Sequence, residues 1–452
     1  GIVQEEWSEL PAEKRSSSQI VGHSGVELFK NDHMIGLDGG RQAEVDHMGR
    51  ELQVLGKPVP SVPGKNISLT LDIRLQKVAD KAMQGESGAV IIMNPKTGEL
   101  LALASYPDFD PNLFSGGIDQ ENWNILLENP EHPLENKAIQ GLYAPGSIFK
   151  VVTAYAGLDL EVITPETEHV CNGLFHVKGR ETPFKCWKEN GHGRVALIDA
   201  IKGSCNVYFY NTGMGVGVDA MHKYAGLFGL GQLTGLGLLN EKAGLIPSSN
   251  WKQRVLNEPW YLGEMPSMAI GQGYIIVTPL QVLNMINILA NDGMWMPPKL
   301  LLDQEGISPQ QIPLKREYLS LIREGMVAVV NEVGGTARKV QFEEFTVAGK
   351  TATSQVVSHE TLETLDNETK SKREIQNHAW FVAFGPAEDP EISALALVEH
   401  GGGGSKAAAP IVRKILTYYI DNIYQPKPQK TMQTDLESKN IKFNDRLQKA
   451  FN

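Results

Sequence analysis

Gly88-Ala-Val-Ile-Ile-Met93, Asn94-Pro-Lys-Thr-Gly98 and Glu99-Leu-Leu-Ala-Leu-Ala-Ser105 run on from one another, and the reading of the fold starts there. Two apolar runs of strand length flank a turn sequence, which predicts a β-hairpin buried on at least one face. Just ahead of it, Leu75, Val78, Ala79 and Ala82 recur at helical spacing. Before that helix, Asn66-Ile-Ser-Leu-Thr-Leu71 alternates with a period of two, as a half-buried strand does. Beyond the hairpin, residues from about 145 to about 340 read as mainly helical with Pro and Gly punctuation. Strand patterns return at Phe345-Thr-Val-Ala348, His378-Ala-Trp-Phe-Val-Ala-Phe384 and Ile392-Ser-Ala-Leu-Ala-Leu-Val398, and a last helical pattern covers 407–420. Strands at both ends of a helical middle predict an α+β fold. Its antiparallel sheet is assembled from distant pieces, with helices on its faces and a helical lobe beside it.

The chain divides into three parts. Residues 1–62 are polar, with turn signals at 22–25 and 36–40 and no core of convincing size, so they read as a small N-terminal appendage. Residues 63–425 carry the main domain, and 426–452 form a polar tail. A charged insertion at 358–376 is expected to be a mobile loop. At 452 residues the chain is long enough for a large buried core. Its net charge of −11, from 53 acidic and 42 basic residues, argues against non-specific nucleic-acid binding, which needs a basic footprint. No apolar run reaches the roughly 18 residues of a membrane helix. Position 1 is Gly rather than Met, as in a processed or shortened chain, and an anchor upstream is compatible with that.

Three short stretches can carry chemistry. Ser147-Ile-Phe-Lys150 follows Ala144-Pro-Gly146 and leads into the apolar Val151-Val-Thr-Ala-Tyr-Ala156. Pro and Gly ahead of such a run place Ser147 near a helix start, and a spacing of three puts the Lys150 amine on the same face. A serine is a poor nucleophile until a base takes its proton, and a lysine can do so only when neutral. Burial or a neighbouring cation provides that. The second stretch is Ser204-Cys-Asn206 and the third Lys350-Thr-Ala-Thr353. They offer a hydroxyl, a carboxamide and a second amine, which can relay a proton, hold a substrate amide and repel charge from Lys150. Taken singly, each is bland: a helix cap with a solvated lysine, a surface turn and a solvated strand edge.

Together, in this order, they resemble the S-x-x-K, S-x-N, K-T-G set of the penicillin-binding proteins and serine β-lactamases. The hairpin ahead of Ser147 looks like that fold, as do Ile270-Gly-Gln-Gly-Tyr274 and Thr278-Pro-Leu-Gln281. The segments Asp108-Phe-Asp-Pro-Asn-Leu-Phe114, Pro259-Trp-Tyr-Leu-Gly-Glu264 and His378-Ala-Trp-Phe381 are similar to those of the elongation-type class B members, the penicillin-binding protein 2 group. Gly22-His-Ser-Gly-Val-Glu27 and 38–50 resemble that group's N-terminal pedestal, which looks abbreviated between Arg15 and Val21.

The resemblance implies a peptidoglycan D,D-transpeptidase acting through a Ser147 acyl-enzyme and inhibited by β-lactams. It assigns catalytic roles to Ser147, Lys150, Ser204, Asn206, Lys350, Thr351 and Thr353, with the oxyanion held by the N–H groups of Ser147 and Thr353. It also implies the periplasmic face of a bacterial inner membrane, an N-terminal anchor, stem peptides as substrates and a glycan polymerase of the rod-shape system as partner. The rivals are a β-lactamase or D,D-carboxypeptidase with the same motifs, or a non-catalytic β-lactam-sensing or scaffolding relative. Ala352 stands where the family usually has Gly, and its methyl is expected to narrow the cleft or shift the strand.

All three cysteines lie close together in sequence, as Cys171-x14-Cys186-x5-His192-x12-Cys205. Three thiolates and an imidazole suit a tetrahedral structural zinc site. A disulfide with one spare thiol, or three inert buried thiols, are the other readings of this spacing. The resemblance favours zinc, because some penicillin-binding protein 2 members carry the metal at matching positions.

Overall fold

The computed structural model describes residues 21–425 except 116, 305–307, 344 and 357–371. The tail at 426–452, most of the insertion expected to be mobile, and the stretch between Arg15 and residue 20 of the pedestal lie outside the described residues. Two short helices, Gly25–Phe29 and Asn31–Met34, precede an antiparallel ribbon of Gly40–Val45 (β1) and Glu51–Val59 (β2), almost all of it exposed. The predicted strand at 66–71 does not form. Leu69 makes one isolated bridge to Leu301, and Thr70 donates its N–H to Leu300 and its hydroxyl to the Leu100 carbonyl at 2.7 Å. The partner stretch parts from it after that single bridge, so the period-two pattern has nothing to propagate along.

Asp72 caps the next helix, Ile73–Met83 (α1), by accepting from the Arg74 N–H, and Leu75, Ala79 and Met83 form its buried stripe. The hairpin then appears as predicted, Gly88–Met93 (β3) paired with Leu100–Tyr106 (β4). Every residue of β3 is buried, while β4 alternates, as an edge strand with one solvated face should.

The middle of the chain holds the helix Lys150–Asp159 (α2), which is apolar all round and buried through its first nine residues. Two small ribbons that the sequence reading did not anticipate follow it. His169–Cys171 (β5) pairs with Gly193–Val195 (β8), and Leu174–Phe175 (β6) with Phe184–Lys185 (β7). Helices Leu197–Lys202 (α3), Asn206–Val216 (α4), Pro279–Ala290 (α5) and Arg316–Asn331 (α6) follow, with the shorter Val218–Leu227, Ser249–Leu256 and Met265–Ala269 between α4 and α5.

The chain then returns to the sheet as Ala348–Ser354 (β9), His378–Gly385 (β10) and Ile392–Val398 (β11). The order is β9-β10-β11-β3-β4, antiparallel throughout. Helix α1 and the last helix, Ala408–Asn422 (α7), cover one face, with α5 and α6 on the other. Covering on both faces explains why β10 and β11 read as unbroken apolar runs rather than alternating ones. Among the described residues no helix is long and apolar enough to cross a membrane.

Leu395 of β11 is fully buried and sits in register between Val382 and Ile91. Leu395→Ala should cost about 2–5 kcal/mol in denaturant unfolding. A loss below about 0.5 kcal/mol, the size of an ordinary surface change, would contradict this placement of the core.

Candidate active site

Ser147 sits in a single 3₁₀ turn, Gly146–Ile148, that runs straight into α2. The turn needs Gly146 at its left-handed φ of +54°. A side chain there would also press on strand β9, since an added Cβ would lie 3.0 Å from the Thr353 carbonyl and 3.3 Å from the Ala352 methyl. The turn is tied at Gly146 N–H to Gly271 O, 2.9 Å, and at Ala144 O to the Ser354 hydroxyl. Ser147 is half-buried and opens into a cleft of about 560 Å³ that Ser204, Asn206, Thr351 and Thr353 also line.

One helical turn on, Lys150 is wholly buried. Its Nζ donates to the Ser204 carbonyl at 2.8 Å, to Asn206 Oδ1 at 2.7 Å and to Ser204 Oγ at 3.2 Å. Lys350, equally buried on β9, donates to the same Ser204 Oγ at 2.9 Å and to the Thr351 carbonyl at 3.1 Å. One hydroxyl therefore sits between two amines.

Burial is the main cause that lowers both lysines, since each ammonium has lost its water. Lys150 is pushed down to about 8, with the nearby cysteine thiols pulling weakly the other way. Lys350 goes well below its ordinary range, and the charge on Lys150 adds to the effect of burial. The sequence reading offered burial or a neighbouring cation as the cause; in the structure burial leads for both lysines, and at Lys350 repulsion from the other amine is added to it. The pair holds one proton near neutral pH and releases it above about 8, with Ser204 Oγ as the bridge.

The remaining predicted residues fall in or beside the same cleft. Thr351 shares a 2.7 Å hydrogen bond with Thr336, and exposed Thr353 faces the opening, its carbonyl taking a hydrogen bond from Gln272 at 3.2 Å. Thr336 and Gln272 were not singled out in sequence as site residues. Ala352 is accommodated, with its methyl buried and its main chain paired in register with Trp380. Gly404 lies against the main chain at this point, where any added Cβ would strike the Trp380 and Ala352 carbonyls at 2.2 and 2.5 Å, while the Ala352 methyl faces Gly146.

Behind the second stretch, Cys171, Cys186, His192 and Cys205 converge, with one donor atom from each within 4.8 Å of all the others. No disulfide joins the cysteines. His192 Nδ1 lies 3.7 Å from Cys171 Sγ and 3.5 Å from Cys186 Sγ, close to the ~3.6 Å edge of a tetrahedron with ordinary Zn–S and Zn–N bond lengths. His192 Nε2 sits 3.1 Å from the Gly203 carbonyl, an acceptor only, so Nε2 carries a proton toward it and Nδ1 is the ring nitrogen turned to the sulfurs. Cys186 is held low by its contacts with Cys205 and His192 against the opposing effect of burial, whereas Cys205 is pushed up by the same contact and by burial. Exposed Trp187 bridges the two sites, its indole N–H reaching the Gly203 and Ser204 carbonyls at 3.1 and 3.0 Å while its ring packs edge-on against His192.

Comparison with known proteins bears on this arrangement. The family model for the penicillin-binding protein transpeptidase domain matches residues 88–417, and that for the penicillin-binding protein dimerisation domain matches 1–69. The peptidoglycan D,D-transpeptidase MrdA of Haemophilus influenzae is 36% identical over 412 residues, which cover 89% of this chain and 63% of that relative's length. Among solved structures, Pseudomonas aeruginosa PBP2 in complex with WCK 5153 superposes with a TM-score of 0.81 at 32% identity, covering 95% of this chain and 89% of that one. Helicobacter pylori PBP2, solved in complex with MreC, gives a TM-score of 0.82 at 33% identity, over 93% and 76% of the two chains.

Proposed function

Because the chain belongs to the penicillin-binding protein transpeptidase family, we propose that it cross-links peptidoglycan stem peptides as a serine D,D-transpeptidase and is acylated by β-lactams. The observation that carries this reading is the Ser204 hydroxyl, held between the Lys150 and Lys350 amines in the wall of the cleft that contains Ser147.

Ser147 Oγ attacks the carbonyl carbon of the penultimate D-Ala of a stem pentapeptide, and its proton passes to neutral Lys150. The N–H groups of Ser147 and Thr353 take the negative oxygen, each such donor being worth about 2.7–4 kcal/mol of barrier. The tetrahedral adduct then collapses. The C–N bond to the terminal D-Ala breaks, and the departing amine receives the proton from Lys150 through the Ser204 hydroxyl that Lys350 also holds. An amine of a second stem peptide attacks the Ser147 ester, forms the cross-link and returns the proton to Ser147. Asn206 presents its carboxamide to the substrate amide while its Oδ1 orients Lys150. Thr351, backed by Lys350, receives the terminal carboxylate.

On the same reading the protein works at the periplasmic face of the bacterial inner membrane, held there by an N-terminal anchor. A glycan polymerase of the rod-shape system acts beside it. The Helicobacter pylori relative solved in complex with MreC supports a protein partner for this chain. Cys171, Cys186, His192 and Cys205 would hold a structural zinc ion, a role that the donor chemistry, the spacing and the His192 tautomer all support. When bound, zinc would supply a fixed crosslink that clamps Cys205, and with it the flanking Ser204 and Asn206, to the loop ahead, and would offset the thiolate charge that raises Lys150.

A fluorescent penicillin should label the wild-type chain at one site with a long-lived adduct, and Ser147→Ala should abolish labelling. Retained labelling in that variant would refute the nucleophile, rapid turnover of the adduct would indicate a β-lactamase, and no adduct on the wild type would indicate a non-catalytic relative. Metal analysis should find about one zinc per chain, as a single structural site requires. A Cys171–Cys186 disulfide in the purified protein would rule the site out.

A further inference from the structure

A half-buried carboxylate outside the catalytic constellation reaches the stretch of chain that leads into Ser147. Glu399 directly follows β11, and its side chain is 16% exposed. Its Oε1 accepts the Tyr143 phenol at 2.7 Å, and its Oε2 accepts the Ser87 hydroxyl at 2.5 Å. Lys137, 2% exposed, stands 3.8 Å from Oε2 as the compensating cation, and its own Nζ bonds the Glu131 carbonyl. Three segments remote in sequence, around Ser87, 137–143 and Glu399, thus meet at one carboxylate.

Tyr143 lies four residues ahead of Ser147. Its main chain exchanges hydrogen bonds with Val277 at 3.0 and 2.9 Å, and its ring packs edge-on against His378 and Trp380 of β10. The next carbonyl, Ala144, takes the Ser354 hydroxyl, which in turn accepts the Trp380 indole N–H at 2.8 Å. Tyr143 and Ala144, which lead into the turn, are therefore both tied down, and the tie at Tyr143 runs to a carboxyl oxygen at 2.7 Å. It also links the turn to β11 in the middle of the sheet whose edge strand, β9, carries Lys350 and Thr353. A buried ion network is a poor way to add stability, because desolvation cancels much of its attraction, but it fixes geometry well.

We propose that Glu399 is a positioning residue. Acting through Tyr143, it sets the Ser147 hydroxyl and N–H relative to Thr353 on β9, and so the separation of the two halves of the oxyanion hole. This rests on the acyl-enzyme reading given above.

The test is the acylation of the full chain by a fluorescent penicillin at a series of concentrations, which separates non-covalent binding from the acylation rate constant. Tyr143→Phe removes only the phenol. It should lower the rate constant about tenfold, short of the hundredfold that a displacement of about 1 Å can cost, with binding, final label stoichiometry and Tm near those of the wild type. Glu399→Gln should show the same loss, and the double variant no further loss, because the two residues act as one unit. A wild-type rate constant in Tyr143→Phe overturns the proposal. So does a defect that appears only as less labelled protein with a lower Tm, which is the signature of a purely structural role. Should Glu399→Gln fail to fold for want of a partner to Lys137, Tyr143→Phe decides alone. A wild-type chain that takes no label overturns the acyl-enzyme reading and this inference with it, whereas a labelled wild type with an equally fast Tyr143→Phe overturns this inference only.

Discussion

Two amines with no access to water share one hydroxyl, and much of the structure serves that arrangement. Removing an ammonium from water costs several kcal/mol even after relaxation, so Lys150 and Lys350 cannot both stay charged. Ser204 makes the sharing possible by lying within 3.2 Å of one Nζ and 2.9 Å of the other. To do so its backbone adopts a φ of +53°, a conformation of a non-glycine residue that costs on the order of 1–3 kcal/mol and persists only where the surroundings enforce it. They do: Cys205 N–H bonds the Ala200 carbonyl at 2.9 Å, and the Trp187 indole and Lys150 both bind the Ser204 carbonyl.

The larger fold follows from the need to bring these groups together from three places. Lys150 comes from a helix buried on all sides, Ser204 from the short connection between two others, and Lys350 from the edge strand of the sheet. Each support is stiff for its own reason. The helix is packed around its whole circumference, the connection is backed by the four-donor cluster that includes Cys205, and the strand is paired along seven residues with β10. Ser147 stands on a tight turn, tied at Gly146 to Gly271 and just ahead of it at Ala144 to Ser354.

Much of this was legible in the sequence because chemistry and periodicity coincided. The hairpin at 88–105, the helix after Asp72 and the β11 strand were marked by uninterrupted or regularly spaced apolar residues. The seven catalytic candidates stood out as functional groups in a fixed order, and the structure gathers them, as it does Cys171, Cys186, His192 and Cys205. What could not be read depended on partners far away. Asn66–Leu71 had the period of a strand but a neighbour for only one bridge, and the ribbons at 169–195 are too short and glycine-rich to show a period. Tyr143 and Glu399 are 256 residues apart, and neither carries a local signal of the contact. Thr336 and Gln272 are likewise ordinary until the fold sets them beside Thr351 and Thr353. Which of burial or a neighbouring cation leads in depressing the lysine pair was likewise open, since burial is a property of the fold and not of the residue type.

The central claim is that Lys150 becomes a competent base by losing its proton inside a dry site. The rate constant for acylation of the wild-type chain by a fluorescent penicillin, followed across pH, tests it most directly. A group whose folded value lies near 8 is protonated and inactive as a base below that pH and free above it. The rate should therefore rise as pH passes through about 8 and level off beyond it. A rate that stays flat through that range, or that rises only near the ~10.4 of an ordinary lysine, would contradict the account.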